Sequence, residues 1–530
     1  MVWKTPAALL FLGFLLLSVP ASAHMAPLTD RELAAGSPDV VVGVVEAARV
    51  RWNETHTLLV TDYKLRIEDR LRGSAPAQVT LTIPGGTLGG ETHSTCLSTP
   101  LAAGARYLLF LQDLGRPSLV PITGGWQGAF REVAGPRGKR LAAHGPGETP
   151  LRLAGGDAVE FPQLVRAVRD LLARSEADLD AATAVDAPEA AAFLPADGGE
   201  IAAPSSFVVN NPPASPLVFE TLPPDSPFYG ADREQIDYWN LYFEDLFQVS
   251  EDPTPGWGNG NGVSEIAFPT DEEMRRQTGG GWSRGAVSMS ATFARQGHIV
   301  EADILLNPAF EWTLDPDAAT RGDSEAFSFR SEILEHLGHA WGYSSLSFGD
   351  ILTGATVSRD SALNLRPREL DAAFLFAQDT QAARGYFPVK RIRDGLISAY
   401  TVAPAPLTPF YIPVAASATT VRPGGTFDLR NRITIENPGT EPLINPDVEV
   451  YLVPQRFSLD GAILVKRQRI RSTVRSGEAL SAGLGRVTVP RNARPGVYYL
   501  AFVLRDPRDA QQANNRTWGT ESATLTIGRR

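Results

Sequence analysis

The sequence predicts a multidomain chain with three folded parts. These are an N-terminal β-barrel or sandwich module, a central α+β domain and a C-terminal β-sandwich. Three observations predict it. The chain has 530 residues, more than one hydrophobic core supports, since domains settle at about 100–150 residues. Both ends carry short apolar or alternating runs punctuated by Gly and Pro. The middle mixes runs of helical periodicity with strand-like runs.

Composition sets the class. Apolar residues make up 43% and charged residues 21% of the chain, ordinary values for globular domains. The formal net charge is −11, which argues against nucleic acid, because phosphate binding needs clustered Lys and Arg. The one cysteine, Cys96, excludes an intramolecular disulfide. It lies in the polar, Gly-rich stretch Gly89–Thr95 and reads as a loop residue; His93 nearby does not by itself make a nucleophilic dyad.

Lys4, the apolar run Ala7 to Val19 and then Pro20-Ala21-Ser22-Ala23 have the layout of an export signal, with cleavage after Ala23. The expectation is a secreted, extracellular protein. No later run approaches the roughly 18 apolar residues of a membrane span.

Residues 24–132 read as a small all-β module. Val40 to Val45, Thr57 to Ile67, Gln78 to Ile83 and Tyr107 to Leu111 are its strands, and Gly85-Gly86 and Gly89-Gly90 mark turns. Residues 133–205 read as a linker with one amphipathic helix, Phe161 to Ser175. Its stretch Glu176 to Ala203 is rich in Ala, Asp and Pro and buries little surface. In residues 206–390, helices are expected at Gln235 to Phe247, Ser328 to Trp341 and Arg368 to Phe376. Strands are expected at Asn261 to Phe268, Ala286 to Phe293 and His298 to Leu306. Residues 406–530 carry strand-like runs at Val448 to Val453, Arg486 to Val489, Val497 to Leu504 and Ala523 to Ile527, the pattern of a seven-strand sandwich.

The stretch Glu332-Ile333-Leu334-Glu335-His336-Leu337-Gly338-His339-Ala340-Trp341-Gly342-Tyr343-Ser344-Ser345 resembles the zinc-binding helix of metzincin metalloproteases, H-E-x-x-H-x-x-G-x-x-H, in its matrixin-like form. In that motif two His four residues apart share a helix face and hold zinc, and the Glu between them serves as base. Aligned on Leu337-Gly338-His339-Ala340 and on Gly342, the chain departs at three places. Glu335 stands at the first His, His336 at the catalytic Glu and Ser345 at the third His. The family's Met turn is absent too, since no Met follows Met289; Leu352 stands in the region. The upstream stretches Ile299 to Asn307 with Trp312, and Asn261 to Phe268, are similar to matrixin strands, and Leu365 to Phe374 is similar to the helix after the Met turn.

The resemblance implies a metzincin-like central domain with zinc as the cofactor. Glu335 and His339 would be the metal ligands and His336 the catalytic base. A carboxylate–imidazole zinc site is chemically sound. Ser345 is a poor third ligand, and Asp350 is not placed by spacing. Three states stay open: a working peptidase, a metal site without turnover, and a metal-free relic whose Glu335, His336 and His339 are polar residues on a half-buried helix. Asp303 and Asn307 are expected to fix the loop over the cleft. His298 reads as a strand-end surface residue, and Trp282, Trp312 and Trp341 read as core.

In the last domain, Asn437-Pro438-Gly439, Val489-Pro490, Pro495 to Leu500, Asp506 and Asn514-Asn515 together resemble CARDB, a bacterial cell-adhesion-related family with an immunoglobulin-like fold. That resemblance implies a spacer or binding module without catalytic residues. The whole reads as a secreted matrixin-like zinc metallopeptidase homologue with impaired or lost catalysis, or as a non-catalytic extracellular adhesion protein. Its partner would be a protein or peptide substrate or an extracellular ligand. Substrate and oligomeric state are not legible.

Overall fold

The computed structural model describes residues 28, 30–115, 118–144, 149–150, 158–173, 207–209, 212–244, 246–250, 257–315, 326–345, 380, 383–384, 386–403, 410–519 and 524–529. The segment read as an export signal (1–23), most of the expected linker, Asp350, Leu352 and the helix expected at Arg368 to Phe376 lie outside them. The described chain is β-rich, with several sheets and few helices.

The N-terminal module begins with helix α1 (Asp30–Ala35). Its strands are β1 (Asp39–Trp52), β2 (Leu59–Arg72), β3 (Gln78–Pro84), β4 (Gly86–Leu88), β5 (Glu91–Thr95), β6 (Arg106–Leu111), β7 (Ala129–Ala134), β8 (Arg140–His144) and β9 (Thr149–Pro150). Seven of them form one sheet in the order β3-β2-β1-β6-β7-β8-β9. The run Val40 to Val45 is apolar throughout because both faces of β1 are covered. Val41 and Val45 enter one core, while Val40 and Val42 enter another with Phe161, Leu164 and Val168 of helix α2 (Phe161–Leu172). A strand buried on both sides loses the apolar–polar alternation of a half-exposed one.

The central part contains β10 (Phe207–Val209), β11 (Leu217–Glu220), helix α3 (Ala231–Tyr242), β12 (Phe247–Val249), β13 (Ser264–Ala267) and helix α4 (Asp271–Thr278). Next come β14 (Ser288–Arg295), β15 (His298–Leu306), β16 (Trp312–Thr313), β17 (Phe327–Ser328), helix α5 (Phe329–Ala340) and β18 (Tyr343–Ser345). The expected strands appear with slightly shifted ends. The first expected helix starts at Ala231 and stops at Tyr242, and Phe247 instead opens β12. There Phe247 packs edge-on to the Trp239 ring at 6.5 Å, so a tertiary aromatic contact outweighs helical continuation.

One seven-stranded sheet runs β12-β11-β13-β15-β14-β5-β4. β12, β11, β13 and β15 are mutually parallel, and β14 lies antiparallel to β15. The last two strands come from the N-terminal module: β5 pairs antiparallel with β14, Phe293 opposite His93. Met289, Ala291, Phe293 and Leu305 face the N-terminal core, while Ala302, Ile304 and Leu306 face the core of α3 and α5. The two parts therefore share a sheet, and one core draws on both.

The C-terminal part is a β structure around its own core of Ile433, Ile435, Val448, Val450, Leu500, Phe502 and Leu525. Its largest sheet places Thr524–Ile527 and Asp447–Val453 on either side of Gly496–Arg505. The four runs expected there are strands.

Candidate functional site

Helix α5 is set by local chemistry. Ser328 caps it, its hydroxyl accepting from Ser331 N at 3.4 Å, and Glu332 lies in the first turn where the helix dipole favours a carboxylate. The helix ends at Trp341. Gly342 then adopts φ 97° while its N–H donates to His339 O at 2.9 Å, a conformation that favours glycine. The chain continues into β18, whose backbone pairs antiparallel with β10, Ser345 opposite Phe207.

The expectation of a half-buried helix is corrected. Ile333, Leu334, Leu337 and Trp341 are buried, and so are Glu332, Glu335 and His336. The cause is that α5 is sandwiched between α3 and the sheet strands β14 and β15. Trp239 Nε1 of α3 donates to Leu334 O at 3.0 Å, and the Trp239 and Trp341 rings meet edge-on at 5.9 Å.

The three residues singled out in the sequence fall into two pairs. Glu335 Oε1 and His339 Nε2 are 4.0 Å apart across one helical turn, and the His339 side chain is 17% exposed. His336 Nε2 instead stands 3.7 Å from Glu332 Oε2, with its ring centre 6.2 Å from that of His339. Burial and the neighbouring His339 hold the His336 imidazole well below its ordinary range. It is therefore neutral, so its approach to Glu332 is a dipolar contact rather than an ion pair.

The fold adds a residue that the sequence did not bring here. Cys96, read as a loop cysteine, follows directly on β5. Its N–H donates to Ser290 O at 3.2 Å and its Sγ accepts from Ser290 N at 3.1 Å. Burial pushes its thiol up to about 12, with smaller contributions from the Glu335 and Glu332 carboxylates. Ser288 Oγ donates to Glu332 Oε2 at 2.5 Å. Cys96, Glu332, Glu335 and His336 thus converge between sheet and helix. No local signal could announce this, because it depends on β5 joining the central sheet. A thiol held so high is protonated at neutral pH and is a poor nucleophile.

The upstream residues behave as supports. Asp303, fully buried on β15, accepts from Trp257 Nε1 at 3.2 Å and from Glu265 N at 3.3 Å. Glu301 accepts from Gly260 N at 2.7 Å and from Gly262 N, and Glu265 accepts from Gly258 N at 3.3 Å. Three carboxylates therefore anchor the 257–262 loop. Burial drives all three upward, Glu265 to about 7. Asn307 donates through Nδ2 to Ala286 O at 2.7 Å. His298 is exposed, as expected, with Nδ1 3.0 Å from Pro212 O. Trp341 is core, while Trp282 and Trp312 are partly buried against their cores.

The donors near α5 suit a borderline-soft metal in kind, since an imidazole and a carboxylate share one face. A catalytic zinc takes three protein ligands; among the described residues no group of three His, Cys, Asp or Glu is placed to hold one ion. Among the described residues, no helix is long and apolar enough to cross a membrane.

No family model matches the chain, and no curated protein matches it. Solved structures give faint likenesses. A β-glucosidase involved in saponin metabolism from intestinal bacteria shares 14% identity at a TM-score of 0.16, over 27% of this chain and 17% of its own. A β-glucosidase from Listeria innocua in complex with glucose shares 10% identity at a TM-score of 0.15, over 61% of this chain and 48% of its own. The chain thus spans less than half the length of either, and neither likeness bears on its fold or chemistry.

Proposed function

We propose that the chain is a secreted, matrixin-like zinc-metallopeptidase homologue whose catalysis is impaired or lost. One observation carries the reading. A helix holds Glu335 and His339 on one face, is followed at Gly342 by a left-handed turn, and packs on the β14–β15 pair, with Asp303 on β15 and Asn307 just past it. The spacing of the two ligand positions and the glycine is that of the motif, with Glu335 in place of its first His. The same geometry supports loss of turnover. His336, at the position of the base, is wholly buried beside Glu332, where it reaches no solvent-borne nucleophile.

The second reading is a non-catalytic extracellular binding or adhesion protein. Its support is the burial of His336 beside Glu332, which leaves α5 without a solvent-facing base.

Zinc analysis of the purified full chain tests the first reading. We expect bound zinc that is lost in the Glu335→Ala/His339→Ala double variant, with no cleavage of casein or gelatin by either protein. Zinc content unchanged by the double substitution would remove α5 as the metal helix. A chain without zinc that retains an extracellular partner would favour the second reading.

A further inference from the structure

The C-terminal sandwich carries the opposite charge to the rest of the chain. Residues 410–530 hold 17 Arg and Lys against 10 Asp and Glu, a formal charge of +7, while residues 1–409 hold 32 against 50, or −18. Burial sharpens the contrast. Among the described residues of the sandwich, 13 arginines are exposed, whereas of its acids only Asp428 and Asp460 are. Four of those arginines stand on one sheet face. Asp447–Val453 lies between Ile463–Arg469 and Gly496–Arg505, and Arg516–Trp518 pairs on the far side of Gly496–Arg505. The register puts Arg469, Asp447 and Arg505 in one row across the strands, and Arg467, Glu449, Val503 and Arg516 in the next. Directly opposed residues share a face. It is the outer face, because the alternate residues Val448, Val450, Phe502 and Leu504 enter the core.

We infer that this face binds an acidic polysaccharide. The two acids in the rows hold the guanidinium groups in place. Glu449, 1% exposed, accepts from Arg467 Nε at 2.7 Å and from Arg505 Nε at 2.5 Å. Asp447 accepts from Nε and Nη2 of Arg469 at 3.0 and 2.8 Å. The side chains of Arg467, Arg469 and Arg505 nonetheless stay 66%, 65% and 52% exposed. A guanidinium has five N–H donors, so each keeps donors for an outside anion, and its planar fork matches carboxylate and sulfate oxygens. Strand geometry spaces these arginines about 7 Å along a strand and about 10 Å across two. That spacing suits charges carried on successive sugars rather than the one charge per about 1.7 Å of a nucleic-acid duplex. A linear glycan can lie along the rows alone, whereas a duplex or a bilayer is broad and would also meet the acidic remainder of the chain. Tyr451, half-buried, continues the face beyond Glu449 and accepts from Arg505 Nη2 at 3.1 Å, placing an amphipathic ring beside the charges. Such binding is independent of what α5 does.

Affinity electrophoresis of the full chain through gels containing heparin, polygalacturonate or neutral dextran tests the proposal. We expect retardation by heparin and polygalacturonate and none by dextran. Affinity should fall about tenfold or more between about 50 and 200 mM salt, as screening and ion release require. Arg469→Gln/Arg516→Gln should weaken binding about tenfold while leaving the melting temperature unchanged, because Glu449 keeps both its arginines. Arg467→Gln/Arg505→Gln should weaken it as much but also lower the melting temperature, since Glu449 would then be buried without a partner. Arg422→Gln/Arg430→Gln removes the same number of charges from outside the two rows and should leave binding within about twofold of the unaltered chain. No retardation by either acidic polysaccharide overturns the proposal. So does an equal loss in the Arg469/Arg516 and Arg422/Arg430 variants, which would mean diffuse charge attraction alone. Tighter binding to duplex DNA or to phosphatidylglycerol vesicles than to both polysaccharides would overturn it as well.

Discussion

His93 shows how one imidazole can bind two parts of a chain. Its Nδ1 accepts from Leu59 N at 2.9 Å, and its ring sits edge-on to Trp52 at 5.1 Å and to Phe293 at 4.6 Å. Burial, with Arg295 adding to it, depresses its imidazole to about 4. The unfolded chain titrates near 6.5 and so binds the proton more readily. Stability from this residue is present above pH 6.5 and is lost as pH falls towards 4. Urea midpoints at pH 7 and pH 4.5 should differ in the direction of acid weakness, by about 2 kcal/mol from this group, and His93→Phe should flatten that limb. Glu265 acts with the opposite sign. Its folded value, about 7, lies above the ordinary carboxylate range, so its contribution is present below pH 4.5 and is lost as pH rises through 7. Glu265→Gln should remove on the order of 1–2 kcal/mol of that alkaline loss, read from melting temperatures at pH 5 and pH 8. Together the two groups place greatest stability between about pH 5 and 7.

Among the elements, α4 and α5 differ in how far their sequences announce them. α4 has a complete capping box: Thr270 Oγ1 accepts from Glu273 N at 3.3 Å and Glu273 Oε2 accepts from Thr270 N at 2.7 Å, with Gly279 closing the far end. That T-x-x-E signature is legible in the sequence, although the run offers little apolar periodicity. α5 was found through its motif, and its ends were read to within a residue. Its burial was not legible, because an element covered on two sides carries no polar face to mark the outside. Gly342→Ala should cost about 1–2 kcal/mol, because an alanine in the left-handed region is strained. A circular-dichroism melt of the full chain would measure that loss, and an unchanged melting temperature would contradict the role given to this residue in ending α5. Strand β12 is not legible locally, because Phe247 is apolar in a helix or a strand alike; its contact with Trp239 selects the strand.

At the scale of the molecule, the continuous sheet sets the cooperativity. Met274, Met289 and Phe293 share a core with Val60, Leu81 and Leu109, so the N-terminal and central parts should unfold as one unit. Scanning calorimetry should show a single transition for both, with the C-terminal sandwich free to melt separately. Expressed alone, residues 206–390 should be poorly soluble, because β14 would present an unpaired edge and an uncovered apolar face. A well-folded, soluble fragment would show that β5 is dispensable to the sheet.

Local features can be read from the order of the residues alone. Strand runs, the ends of α5, the Gly342 turn and the i, i+4 spacing of Glu335 and His339 follow from periodicity, capping and backbone sterics, which act within a few residues. Tertiary packing alone fixes that β5 completes the central sheet, that Cys96 arrives beside Glu335 and that Asp394 meets Asp509. These contacts join positions more than a hundred residues apart. They are fixed by which apolar faces bury one another, and no local pattern encodes which distant face will be the partner.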